Sequence, residues 1–176
     1  MRLRHSIALA LLWSMTAGGP AGAITGDEAP PPPGDPAREA YAAGLAAFEA
    51  GQWPVVIERM AEVTEIRPWH ADAYNRAGFA YRKLGDYDRA LVLYDKALAL
   101  DPHHRGALEY LGEAYLELDR PEDARALLGR LATECRRIAS GVGDWRASCE
   151  EWQDLNAAYD AWHAARPAAA GAGGKP

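Results

Sequence analysis

Few residues of this chain have the chemistry of a reactive centre, and their spacing decides what that chemistry is. Cys135 and Cys149 belong to no Cys-x-x-Cys pair, so a thioredoxin-type redox site is not indicated. His70, His103, His104 and His163 have neither an i, i+4 histidine partner nor the cysteine neighbours of a zinc site. His103 and His104 follow Pro102 and suit the capping or solvation of a loop, a metal role being the alternative. There is no glycine-rich phosphate loop, no Gly-x-Ser-x-Gly elbow and no placed Ser, His and Asp set. The expectation is a chain without catalytic residues, metal or cofactor. Trp145, Trp152 and Trp162 have rings able to stack a sugar, but they fall on one helical face, which points to packing.

The cysteines gain a different meaning from the N-terminus. Arg2, Arg4 and His5 precede a short apolar stretch from Ile7 to about Met15, and the segment closes on Ala21-Gly22-Ala23. A basic start, apolar middle and small-x-small end form a secretory signal over residues 1–23, with cleavage after Ala23. An uncleaved anchor is the alternative, but the apolar run falls short of the roughly 20 residues that cross a bilayer. The expected location is periplasmic or secreted, with no stable membrane insertion after cleavage. An even pair of cysteines in an exported chain suggests a Cys135–Cys149 disulfide, two free buried thiols being the alternative. Removing the signal shifts the charge from 19 basic against 25 acidic residues to 17 against 25, or −8. No basic block remains, which argues against nucleic acid or an anionic membrane as partner.

Residues 24–36 carry a proline run and read as an extended spacer, and residues 167–176 have nothing to bury and read as a disordered tail. Between them, over 37–166, apolar residues recur at steps of three and four with no strand alternation, so the fold class is all-α. Aligning Ala37, Ala71 and Arg105 reveals a period of 34 residues, giving units at 37–70, 71–104 and 105–138. In the middle unit Tyr74, Gly78, Tyr81, Gly85, Tyr87, Ala90, Tyr94, Ala97 and Pro102 follow one another in phase. Gly78 and Ala90 are small where two helices cross, Tyr94 fills the gap beside them, and Gly85 suits the left-handed turn between the helices. The first unit keeps Gly44, Gly51 and Trp53; the last keeps Leu108, Gly112, Tyr115 and Ala124 but has Asp119 for the turn glycine. A further helix is expected over 144–165, capped by Asp144. Its apolar stripe of Trp145, Cys149, Trp152, Leu155, Tyr159 and Trp162 covers the last unit, and Glu150, Glu151, Asp154 and Asp160 face solvent.

The middle unit closely resembles the tetratricopeptide repeat, and the resemblance extends over roughly residues 37–136. It implies a solenoid of three helical hairpins plus a long C-terminal capping helix, a non-catalytic protein and a concave groove lined by the first helix of each hairpin. Carried onto this chain, the groove positions include Tyr41, Asn75, Arg76, Phe79, Arg82, Lys83, Tyr110 and Glu113, with Phe48, Asp72, Glu109 and Glu117 also inward. Tyr41, Phe79 and Tyr110 are aromatic where hairpin packing does not require it, and Asn75 and Arg76 suit an extended backbone or a carboxylate. Ordinary boundary residues against the capping helix are the alternative reading of this set.

Cytosolic co-chaperones of similar sequence hold an acidic tail with a clamp of Lys and Asn; the corresponding positions here are Tyr41, Leu45, Arg76, Gly106 and Tyr110, so that clamp is missing. By resemblance the chain is expected to be an exported bacterial adaptor or assembly scaffold that binds a peptide segment or partner protein. A structural or self-associating envelope component, including a homodimer, is the competing expectation, and an undetected ligand or enzyme site is a third.

Overall fold

The computed structural model describes residues 34–139 and 144–166, so the export signal expected at 1–23, most of the spacer and the tail at 167–176 lie outside the described residues. Seven α-helices and no strand occur among the described residues. Three hairpins follow in order: α1 (Pro36–Glu49) with α2 (Trp53–Ile66), α3 (Ala71–Lys83) with α4 (Tyr87–Leu100), and α5 (Arg105–Glu117) with α6 (Pro121–Ile138). A 3-10 turn at Trp145–Ser148 then leads into α7 (Glu150–Ala165). The all-α solenoid expected from the sequence is the fold observed.

Local chemistry sets each boundary. The Asp35 carboxylate accepts from the Ala37 and Arg38 amides, and Pro36 occupies the first helical turn, so the helix takes in the last residue assigned to the spacer. α3 and α5 are each capped by a histidine: Nδ1 of His70 accepts from Ala73 N at 3.2 Å, and Nδ1 of His104 from Ala107 N at 3.1 Å. Within each hairpin the turn passes through one left-handed residue, Gly51 (φ 66°), Gly85 (φ 79°) and Asp119 (φ 63°). Asp119 departs from glycine in type but not in conformation, because a short polar side chain tolerates this region. The following amide then returns to the helix in all three, Gln52 N to Ala47 O, Asp86 N to Tyr81 O and Arg120 N to Tyr115 O, at 2.9, 2.9 and 2.8 Å.

The hairpins close where a glycine meets a large side chain. A Cβ built on Gly78 would stand 2.9 Å from the fully buried Tyr94 ring, and Gly44 takes the Met60 side chain in the same way. At Gly112 the close neighbour is instead Leu155 of α7, at 2.6 Å from the position of a Cβ. α7 therefore packs against α5 as well as α6. Trp145, Trp152 and Trp162 lie half-buried against the same core.

Two expectations about this last segment are corrected. It is not one helix from Asp144: Asp144 caps only the 3-10 turn, accepting from Arg146 N, and Cys149 is extended (φ −122°, ψ 93°) immediately before α7. That break lets Cys149 face α6, where it is joined in a disulfide to Cys135 with Cα atoms 5.9 Å apart. Nor is the acidic face wholly in solvent, as described below.

Two stability measurements follow. Gly78→Val should lower the unfolding free energy by about 2 kcal/mol, because the added methyls meet the Tyr94 ring and the Ala90 carbonyl. Joint Cys135→Ala and Cys149→Ala should lower it by about 3 kcal/mol through the lost closure of a short loop. Urea titrations followed by circular dichroism check both, and an unchanged midpoint in either variant would contradict the packing described.

Candidate functional site

The inner wall is built by α1, α3 and α5, whose side-by-side placement brings together residues 31 apart in sequence. Phe48 meets Phe79 with ring centroids 4.8 Å apart, and Phe79 meets Tyr110 at 4.7 Å. Trp53 of α2 packs edge-on against Phe48 at 5.7 Å, extending the row. All four rings are half-buried, so they pack on one another and still reach solvent. Cations lie over them: the Arg76 guanidinium 4.8 Å from the Phe48 centroid, Arg82 5.1 Å and Lys83 4.9 Å from that of Phe79.

At one end of this row Tyr41 donates its hydroxyl hydrogen bond to Asp72 and stacks on His70 at 4.8 Å. Asp72 also receives Arg76 Nε at 3.3 Å and lies 3.4 Å from His104 Nε2. Burial alone would raise the Asp72 carboxyl, but the hydrogen bonds from His104 and Tyr41 and the Arg76 charge outweigh it and hold it well below the usual carboxylate range. Burial and the same carboxylate push the Tyr41 phenol up to about 12.

Arg82 behaves differently from the exposed donor expected of it. Its side chain is 3% exposed and is bound by Glu113 at 2.6 Å and Glu117 at 2.8 Å. A guanidinium desolvated to this degree is held by two carboxylates, so it braces α3 against α5 and is not free for a partner. Glu113 is committed to the same brace.

Of the eight groove residues, all lie on α1, α3 or α5, and they divide into three settings. Tyr41 and Phe79 belong to the polar network and the aromatic row just described. Arg82, Lys83 and Glu113 line a cleft of about 420 Å³ with Ala158 and Trp162 of α7 and Arg166 just after it. Asn75, Arg76 and Tyr110 line a second cavity of about 450 Å³ between α3, α5 and α7. Three of its acidic wall residues, Glu150, Glu151 and Asp154, come from the face of α7 expected in solvent. The reason is the seat of α7 across α5 through Leu155 and Gly112, which brings that face to the cavity, Glu151 half-buried and Glu150 and Asp154 exposed at its rim. No local signal in the sequence marks this seat, because Leu128 of α6 stands in the register of Met60 and Tyr94 and is the neighbour the repeat leads one to expect at Gly112.

The buried members of this cavity are unusual. Glu109 is 7% exposed, and burial, followed by the nearby charges of Glu113, Asp154 and Glu151, pushes its carboxyl up to about 8. Asn75 is 2% exposed, and its Oδ1 has no hydrogen-bond partner among the described residues. No three metal-capable side chains cluster among the described residues, and no described helix is long and apolar enough to cross a membrane.

The tetratricopeptide repeat family matches residues 81–134. That match spans about a third of the chain, and the fold of the described residues is a tetratricopeptide-type solenoid. Mouse FK506-binding protein-like is 38% identical over 96 residues, 53% of this chain and 27% of that protein, so the chain spans about a quarter of this relative's length. Among solved structures, the TPR2B domain of yeast Sti1 in its pHsp70 complex superimposes with a TM-score of 0.64 at 21% identity, covering 74% of this chain and 98% of that one. PcrH in complex with the chaperone-binding region of PopD gives 0.58 at 20% identity, over 73% and 91%. At these identities the tetratricopeptide structures establish the shared fold.

Glu109 makes the stability of the tetratricopeptide domain depend on pH. Its folded carboxyl titrates above the ordinary value of 4.5, so its stabilising contribution is complete below about pH 4.5 and is lost as pH rises through about 8. Glu109→Gln should therefore be the more stable protein at about pH 9, by on the order of 3 kcal/mol, and equal to the parent at about pH 5. Urea midpoints at the two pH values test this, and parallel pH profiles would refute it.

Proposed function

We propose that this chain is a non-catalytic protein-interaction adaptor whose concave wall grips a peptide segment or a helix of a partner protein. The observation that carries the proposal is the half-exposed row of Trp53, Phe48, Phe79 and Tyr110, interleaved with Arg76 and Lys83. Rigid aromatic side chains beside charged groups supply large contact area at low conformational cost, which is the composition of binding hot spots. A helix would lay its apolar stripe along the row, and an extended segment would run beside it.

The similar folds lend support, since Sti1 TPR2B and PcrH are both complexed with partner peptides or regions. Their ligands do not transfer with the fold. Tyr41, Leu45, Gly106 and Tyr110 stand where an acidic-tail clamp needs cations and amides, so recognition here follows other chemistry. The exported setting is part of the same proposal and rests on the signal-like residues 1–23 and the Cys135–Cys149 pair.

The test is capture by the full chain, immobilised without reductant, from bacterial envelope extract. Phe79→Ala with Tyr110→Ala should weaken retention of the captured protein at least about thirtyfold, as loss of a hot-spot pair does, with helicity unchanged. Undiminished retention refutes the wall as the binding surface. A concentration-dependent dimer in light scattering that persists in the double variant favours the self-associating reading instead.

A further inference from the structure

We infer that the cavity between α3, α5 and α7 receives a basic side chain, arginine or lysine, from the segment held along the aromatic wall. The inference deepens the groove reading and rests on it only for the origin of that side chain. Its ground is an inventory of what the cavity already satisfies. Asp72 is engaged by Tyr41, Arg76 and His104, and Glu151 is paired with Arg105 at 3.2 Å. The buried Glu109 lines the same space with no hydrogen bond or ion pair among the described residues, and the exposed Glu150 and Asp154 stand at its rim, also without a partner among them. Deeper in, Asn75 presents a buried carbonyl oxygen that no donor meets.

Each of these is a demand of one sign. A carboxylate withdrawn from water without a cation, as Glu109 is, is strongly unfavourable, and a buried acceptor without a donor loses about 1–3 kcal/mol of solvation. A guanidinium or ammonium group supplies positive charge to Glu109 and to Glu150 and Asp154 at the rim. An anion is repelled by the Glu150 and Asp154 carboxylates, and a metal ion lacks a set of three clustered ligands among the described residues. The volume of about 450 Å³ is in the range of ligand pockets, roughly 300–1,000 Å³, and suits a side chain rather than a helix.

Position supplies the link to the groove. Tyr110 packs against Phe79 in the aromatic row and also lines the cavity, so a chain lying on the row reaches the opening beside it. Gly106 forms part of the lining, where a Cβ would stand 3.3 Å from Asn75 Nδ2. Glu109, facing Asp154 and Glu151 on α7, Glu113 on its own helix and Arg82 on α3, holds a proton near neutral pH while the cavity is empty. An incoming cation displaces that proton to solvent, so binding strengthens as pH rises.

The experiment titrates ¹⁵N-labelled, oxidised full chain with N-acetyl-arginine amide and with its neutral isostere N-acetyl-citrulline amide. The arginine probe should shift the Asn75 side-chain amide and the Gly106 backbone amide saturably, with citrulline at least tenfold weaker. Arginine affinity should rise about tenfold between about pH 7 and pH 9, as the ionised fraction of Glu109 does, and Glu109→Gln should remove that rise. Glu150→Gln with Asp154→Asn, both at the cavity wall, should weaken the arginine probe about tenfold at either pH. Equal binding of the two probes, or no shift at Asn75 and Gly106, overturns the inference. A neutral peptide, acetyl-Ala-Leu-Phe-Leu-Ala amide, separates the two readings. If it perturbs Phe48 and Phe79 while the arginine probe does nothing, the groove stands and the basic-side-chain pocket falls. If arginine binds as described and the peptide perturbs neither ring, the pocket stands and the groove reading falls.

Discussion

The inner wall is placed by one recurring contact, a glycine on the first helix of a hairpin pressed against a large side chain of the second. Gly44 under Met60 and Gly78 under Tyr94 bring paired helices closer than any Cβ would permit. Because interiors are packed as densely as organic crystals, that approach fixes the angle of each hairpin and, with the 34-residue period, the spacing of α1, α3 and α5. Pairs 31 residues apart then meet without separate provision: Phe48 with Phe79, Phe79 with Tyr110, Tyr41 with Asp72 and Arg82 with Glu113. The aromatic row and the ion pairs are consequences of the hairpin contact.

Two buried ionisable groups on this wall meet desolvation in opposite ways. Arg82 is enclosed by Glu113 and Glu117, so its charge is matched inside the protein, and it fixes α3 to α5. Glu109 is enclosed by other carboxylates, so its charge is suppressed by a proton. A matched pair resists rearrangement, whereas a proton is exchanged within any encounter that brings a cation. Structural and receptive roles are thus assigned to neighbouring residues by the charges around them, not by residue type.

Much of this architecture is legible in the sequence. Small residues at Gly44 and Gly78 and the turn glycines Gly51 and Gly85 are local requirements, written at their own positions, so the period and the hairpins can be read directly. Asp119 departs from glycine in type and not in conformation, since a short polar side chain can adopt the same left-handed turn, and residue type alone hides this. The roles of Arg82 and of the α7 acids were not legible, since both depend on what stands opposite. Whether a charged residue on an amphipathic helix faces water or a cavity is set by how that helix docks. The docking of α7 turns on a single tertiary contact, Leu155 in the space above Gly112, and on Cys149 interrupting the helix to meet Cys135.

The shared residue of wall and cavity explains how such a surface can be both adhesive and selective. Aromatic packing along Phe48, Phe79 and Tyr110 favours any apolar segment and discriminates poorly among sequences. A pocket whose carboxylates and amide lack partners discriminates by difference: a neutral side chain leaves Glu109 protonated, while an acidic one adds repulsion. Since Tyr110 belongs to both, a segment cannot settle fully on the row without presenting some side chain to the cavity. Contact area then governs whether a segment is held, and the sign of one charge governs which segment it is.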